Sequence, residues 1–524
     1  MAGNTTTNTI YVANSCGTDP ACGRNSPGTV TVIDGATNTV TATVTVGLFP
    51  LFLVVNPVTN KIYVTNYNSN SVSVIDGTTN TVTTTIAVGA NPNGAAVNSI
   101  TNNIYVANSG DGQGNTMSVI DGNTDTVSAT VTVGNFPGPV AVNPVTNMVY
   151  VTNYCGNQPG CKQNPAPGTV SVIDGATNTV TNTVTVGDGP FLLLVNQVTN
   201  QIWVQNTCGN DPQCEVSGNS NVNGTVTQID GATLATSSAN TGKGSASIAI
   251  NTVTNQVYVS NNTDNTETFI DGVTLSTTTV NVGTAPTDVE VNPVTDKIYV
   301  CDFGSNMVTV IGGVTLATTT VGVGNGPNDA WVSPITNRVY VSNLNDSTLS
   351  VLAGAQLATT TTLKSRPNPS TYLAPVMIMA TVVSAGDPNP TGTVDFTDSG
   401  GAIMGCTGVA LKMVQGTNNT SVATCSTTLL AVGTHSDIVG TYAGDGTFNG
   451  SAGTDKPAQV VNQAPTSLGI IANPPSPSRF GQPVTFTATV TSSSGVPSGV
   501  VTFTSNSMPI SGCSKVMTVN GVAT

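Results

Sequence analysis

The chain alternates apolar and polar residues with a period of two, in short runs broken by Asn, Gly, Pro and Asp. This pattern predicts strands and tight turns, and no segment carries the three-to-four spacing of an amphipathic helix. Residues 52–56 (FLVVN) are almost continuously apolar, as for a strand buried on both faces. A turn, NPVTN, follows at 56–60. Lys61–Asn66 puts Ile62 and Val64 on one face and Tyr63 on the other. Ser71–Ile75 alternates Ser with Val, Asp76-Gly77 opens a hairpin, and TNTVTTTIAVG alternates Thr with Val or Ile as an outer, half-exposed strand does. Gly77 is expected at the hairpin because it accepts a positive φ without steric cost.

This four-strand unit recurs. An aromatic residue followed by Val falls at Tyr11, Tyr63, Tyr105, Tyr150, Trp203, Tyr258, Tyr299 and Tyr340, at intervals of 52, 42, 45, 53, 55, 41 and 41 residues. An IDG step follows at Ile33, Ile75, Ile120, Ile173, Ile229 and Ile270, degraded to IGG at Ile311 and LAG at Leu352. A period near 41 residues with strand-only content is the mark of a propeller blade, a wedge of sheet whose faces only its neighbours can cover. The IYVTN and VSVIDG words resemble the YVTN-type β-propeller repeat of bacterial and archaeal surface or secreted proteins, over about residues 8–360. The resemblance implies an all-β, seven- or eight-bladed propeller of four-stranded blades. Asn4–Asn8 aligns with Asn56–Asn60, so the first unit is expected to lack its innermost strand.

Near Thr362 the 41-residue words stop. PTGTVDF and GTHSDIVGTYAGDGTFNGS resemble bacterial Ig-like repeats, and a second copy begins near Pro465. The expected organisation is a propeller over 1–361, an Ig-like β-sandwich over 362–463 and a truncated second sandwich over 464–524. In that resemblance Cys406 and Cys425 form a cross-strand bridge. The second copy stops before a partner for Cys513, which predicts either a segment cut within a module or a fibre completed head to tail by a neighbour's strand.

Composition narrows the function. Charged residues make up 7% of the chain, with 12 Lys+Arg against 26 Asp+Glu and a net charge of -14, which excludes nucleic acid as a partner. No stretch is long and apolar enough to span a bilayer, and MAGNTTTNTIYV shows no signal peptide. Three cysteine pairs share one spacing, Cys16 with Cys22, Cys155 with Cys161, and Cys208 with Cys214. They are expected to clip loops as disulfides and so to place the chain in an oxidising, extracellular or cell-surface setting, with the N-terminus cut short of its leader.

Alternating strand direction divides the connections between two faces. NPVTN and IDGATN fall on one face and barely vary. The other face carries the clipped loops and the variable links GLFPLF, GANPNG, GNFPGP, GDGPFL and GKGSAS. Variable loops on a rigid scaffold are where recognition usually lives, so Phe49, Asn91, Phe136, Asp188, Phe191 and Lys243 are the expected binding residues, for a surface ligand that is a glycan or a protein. No catalytic residue and no cofactor is expected. The single histidine, His435, falls in an Ig-like strand, and the IDG aspartates belong to turns. GDGQGN at 110–115 offers weak oxygen donors for Ca²⁺. The rival functions are a lactonase-like or quinoprotein enzyme, which needs charged groups converging in the central channel, and the strand-completed fibre.

Overall fold

The structure, a computed structural model, describes residues 1–524 apart from 18–25, 159–166, 212–213, 215–220, 335, 355, 386–388 and 446. The chain divides into two units, Met1–Ala355 and Gln356–Thr524.

The first unit is an eight-bladed β-propeller. Among the described residues, seven antiparallel sheets have four strands each and the eighth has three. The second blade is typical: Pro50–Asn56, Lys61–Asn66, Ser71–Asp76 and Thr81–Ala87, in that order from the centre outward. Its register pairs Val54 with Tyr63 and Tyr63 with Val74. Two expectations are corrected. The first blade has an innermost strand, Ala2–Asn4, paired antiparallel to Thr9–Asn14. The incomplete blade is the eighth, which ends at its third strand, Thr348–Ala353.

The core lies between blades, because each sheet is apolar on both sides of its middle strands. Tyr11, Val30, Val32 and Val44 of the first blade pack on Leu53, Ile62, Val64 and Ile75 of the second. Tyr63, Val72, Val74 and Ile86 of the second pack on Ala95, Ile104, Val106 and Ile120 of the third. The pattern continues around the ring to the eighth blade, which meets the first through Ile10, Ile33 and Tyr340. That seam is polar as well: Arg338 Nη1 and Tyr340 Oη donate to Gly35 O at 2.7 and 3.2 Å. The ring is closed by packing, without exchange of a strand.

Two sets of buried asparagines fix the blades. In the first seven blades the last residue of the inner strand is an asparagine that accepts the two N–H groups of its own turn and donates Nδ2 to the next blade. Asn56 Oδ1 takes Val58 N–H at 3.1 Å while Asn56 Nδ2 reaches Asn102 Oδ1 at 2.7 Å. The same cross-blade bond joins Asn4 to Asn60, Asn98 to Asn147, Asn143 to Asn200, Asn196 to Asn255, Asn251 to Asp296 and Asn292 to Asn337. At the eighth position the residue is Ser333, and Asn8 Oδ1 on the first blade is buried with no partner. The second set ends the IYVTN strands. Asn66 Nδ2 donates to Ser71 and Ser73 hydroxyls at 3.1 and 3.0 Å, and its counterparts at 108, 153, 206, 261 and 343 do the same to Thr and Ser.

The hairpin glycine of IDG has a different reason from the expected one. Positive φ at that turn is carried by Asn80 (54°). Gly77 is required by proximity: a Cβ there would lie 2.5 Å from Asn60 Oδ1. Gly77 N–H donates to Asn60 O at 2.8 Å, which welds the two turns of the invariant face together.

The second unit begins earlier than the expected 362. Thr359–Arg366 pairs with Val376–Ser384, which pairs with Thr420–Thr427, and Thr393–Asp398 pairs with Ile438–Tyr442 in a facing sheet. Leu363, Ile378, Val382, Phe396, Tyr442 and Phe448 fill the core between them. Cys406 and Cys425 are bridged, as expected. Beyond it, Ser467–Asn473 pairs with Thr485–Thr491, beside a small cluster of Ala488, Phe503 and Ala523.

Candidate functional site on the loop face

Each link between blades turns through one residue at positive φ. That residue is Phe49 (52°), Asn91 (49°), Phe136 (52°), Gly189 (63°), Gly244 (67°), Ala285 (51°) and Gly326 (69°) in successive links. In most links its carbonyl accepts the N–H that follows the next blade's second strand: Tyr67 on Phe49 at 3.0 Å, Ser109 on Asn91 at 3.1 Å and Tyr154 on Phe136 at 3.1 Å. The two loop types of this face therefore brace one another, and the face is a fixed platform.

Glycine and asparagine suit the left-handed region, whereas a bulky aromatic there is a genuine outlier that costs about 1–2 kcal/mol. Phe49 and Phe136 are such outliers. Each rests against an aromatic of the adjacent loop, Phe49 on Tyr67 with ring centroids 6.4 Å apart and Phe136 on Tyr154 at 5.4 Å, and all four rings are half-buried. Asn91 lies between the two pairs in chain order and donates to Tyr67 O at 3.3 Å, while Tyr67 Oη donates to Asp111 Oδ1 at 3.3 Å. The inner strands add Leu51 (43% exposed) and Phe191 (45%) at equivalent positions of the second and fifth blades, with Phe52 and Leu192 one residue further in.

The remaining expected residues divide. Lys243 is half-buried, and its backbone N–H donates to Asp264 Oδ2 at 2.8 Å. Asp188 is withdrawn from the surface, 5% exposed at the start of its strand, with Oδ1 unpartnered and its pKa pushed up by burial and by Asp211. Cys208 and Cys214 are bridged, and Cys16 and Cys155 are also disulfide-bonded; Cys22 and Cys161 lie outside the described residues. Cys301 and Cys513 are free thiols.

Sequence reasoning missed the carboxylates of the inner strands. Asp288 and Glu290 stand on Pro286–Asn292 and Asp329 on Pro327–Ser333, where other blades carry small or apolar residues. Asp288 Oδ1 accepts Ser247 Oγ–H and Oδ2 accepts Ala330 N–H, both at 2.8 Å, and Asp329 pairs with the Met1 ammonium. Burial, then the neighbouring Asp329, pushes Asp288 up to about 7, and burial raises Glu290 well above the carboxylate range. The signals in the sequence were three charged letters, the Asp and Glu of TDVEVN and the Asp of NDAWVS, at positions that are small or apolar in other blades.

The opposite face is also informative. The IDG aspartates hold their own turns, as expected: Asp76 Oδ1 accepts Thr78 N–H at 2.7 Å. Val58, Ile100, Val145, Val198 and Val253, each in an NPVTN-type turn, stand strongly exposed beside them. His435 is structural, with Nδ1 on Asp398 Oδ2 at 2.7 Å and Nε2 on Ala431 O at 2.8 Å. Among the described residues no three His, Cys, Asp or Glu side chains converge as metal ligands. Among them too, no helix is long and apolar enough to cross a membrane.

Residues 361–461 match the family model for the bacterial Ig-like domain (group 3). No curated protein matches the chain. Among solved structures it is similar to dihydro-heme d1 dehydrogenase NirN in complex with DHE, at 12% identity over 67% of this chain and 72% of that one, with a TM-score of 0.50. It is also similar to the Kuenenia stuttgartiensis hydrazine synthase, at 20% identity over 62% and 89% (TM-score 0.44). The Cps50 (Swd1) β-propeller domain of Myceliophteria thermophila is similar at 8% identity over 58% and 97% (TM-score 0.43). At such identities the likeness is one of fold: a β-propeller, joined in this chain to a bacterial Ig-like domain.

Proposed function

We propose that the chain is a secreted or cell-surface binding protein whose propeller presents its loop face to a ligand, with the Ig-like modules as a stalk. The observation that carries this reading is the pair Phe49 and Phe136. Backbone strain at a bulky residue points to function when the core gains nothing from it, and both rings sit on the braced loop face. Half-buried aromatic pairs flanked by Leu51 and Phe191 suit an uncharged ligand with flat apolar faces, such as the pyranose rings of a glycan. The YVTN-type resemblance and the oxidised cysteines support an extracellular setting.

The test is a glycan array probed with the whole chain and with Phe49→Asn/Phe136→Asn. The expected result is retained or raised thermal stability with loss of binding, because Asn accepts the left-handed region. Undiminished binding by the double variant would overturn the assignment.

The carboxylates favour one second reading, a hydrolase of the propeller type. Asp288, held near neutrality beside Asp329, has the character of a general acid or base. NirN shares only the fold and lends this reading no residue. Turnover of lactones by the whole chain, abolished by Asp288→Asn, is the result that would replace the binding role.

A further inference from the structure

The eighth blade stops one strand short, and the chain itself shows what is missing. In the seventh blade Met307–Gly312 pairs with Thr318–Gly322, placing Val308 opposite Val321 and Thr309 opposite Thr320. The sequence that encodes that outer strand and its turn, GVTLATTTVG at 313–322, is followed one repeat later by GAQLATTTTL at 354–363. The spacing from the third strand is the same. Yet Thr359–Arg366 lies in the Ig-like sandwich, paired over eight residues with Val376–Ser384, with Leu363 buried in that core. The strand written for the eighth blade is used elsewhere, and Thr348–Ala353 is left as an outer edge.

This edge differs from those of the other seven blades. Theirs are fourth strands, rich in threonine and largely exposed. Thr348–Ala353 (TLSVLA) is a third strand, apolar in character, with no charge or proline to block pairing. Its Val351 is 36% exposed, whereas Val32, Val74 and Val119 at the same position are fully buried under a fourth strand. The direction of its free amides follows from the repeat. Gly312 N–H donates to Ala317 O and Asp271 N–H to Ser276 O, both across the turn to the fourth strand. Ala353 is the counterpart of Gly312, so the N–H of Val351, two residues back, faces the open side as well.

We propose that this edge is a strand-binding site: a partner chain adds an extended, uncharged, threonine-rich segment, antiparallel to Thr348–Ala353, in the register of LATTTV on the seventh blade. Main-chain hydrogen bonds supply the affinity, and the half-covered Leu349 and Val351 select small β-branched residues on the inward face.

The test uses the whole chain and a fluorescein-labelled peptide, GVTLATTTVGVG, followed by anisotropy, with the same peptide carrying proline in place of its second consecutive threonine, the one whose N–H faces the third strand in the seventh-blade register, as control. The expected result is saturable binding of the first peptide alone. Val351→Pro, which removes an outward donor and leaves the bonds to Arg338–Asn343, should weaken it at least tenfold with the melting temperature preserved. If that variant fails to fold, Val351→Lys serves the same purpose, since a charge on an edge opposes pairing. Equal binding of both peptides, or unchanged affinity in the variants, would overturn the proposal. Concentration-dependent dimerisation abolished by the same substitutions would overturn the separate partner and make a second copy the occupant.

Discussion

At the scale of single residues, two departures from the repeat make sharp predictions. Asp302 occupies the position of Asn66 and its counterparts, buried, with only one oxygen satisfied by Thr309 at 2.6 Å. Burial pushes its carboxyl up to about 6. The folded chain therefore binds a proton more tightly than the unfolded one, and stability is lost as pH rises from about 4 to 6. Asp302→Asn should restore the amide of the other blades and stabilise the protein by about 1–3 kcal/mol at pH 7, with the gain vanishing below about pH 4. Urea denaturation at the two pH values checks this. Ser333→Asn should supply the missing donor to Asn8 and raise stability by about 1 kcal/mol. Asn143→Ala should have the opposite effect and cost about 2–3 kcal/mol, since it severs the bond to Asn200 and uncaps Val145 and Thr146. The Asn residues were legible in the sequence as turn formers. Their second bond, across to the next blade, was not, because it depends on which blades become neighbours. Asp288 and Glu290 were hidden for a similar reason: two charged letters in a strand acquire meaning only beside Asp329 of the adjacent blade.

At the scale of strands and turns, the period-two pattern located the strands of each blade because β-branched residues alternate with Ser and Thr wherever one sheet face is covered. It failed where a strand was too short to carry a pattern: Ala2–Asn4 has three residues and no apolar run. It was ambiguous at 359–363, where a threonine string satisfies both the outer strand of a blade and the first strand of a sandwich. Leu363 decides the matter, since the sandwich buries it and the outer edge of a blade would expose it. The IDG hairpin yields a prediction at this scale. Gly77→Ala is allowed by backbone conformation but drives a Cβ to 2.5 Å from Asn60 Oδ1. It should part the two turns and cost about 1–3 kcal/mol, seen as a lowered denaturation midpoint. A neutral effect would mean that the welded turns do not brace the blade.

The first unit as a whole is a ring of interfaces, each made of two half-cores, and its stability is shared among them. Burial raises Asp288 to about 7 and Asp302 to about 6, and raises Glu290 and the fully buried Glu267 well above the ordinary range. All four take up protons in the folded state, so the melting temperature should fall as pH rises from about 5 to 8. A flat or rising profile in a thermal scan would contradict these assignments. The seam between the eighth and first blades has the smallest apolar cluster and lacks the asparagine bond, so it is the place where the ring opens first. Hydrogen exchange of the intact chain, resolved by peptide, tests closure most directly. The amides of Thr9–Asn14 and Arg338–Asn343 should be protected like the other second strands, with the seam the earliest to open as denaturant is added. Free exchange of these two strands in native buffer, with the blades between them protected, would show an open stack.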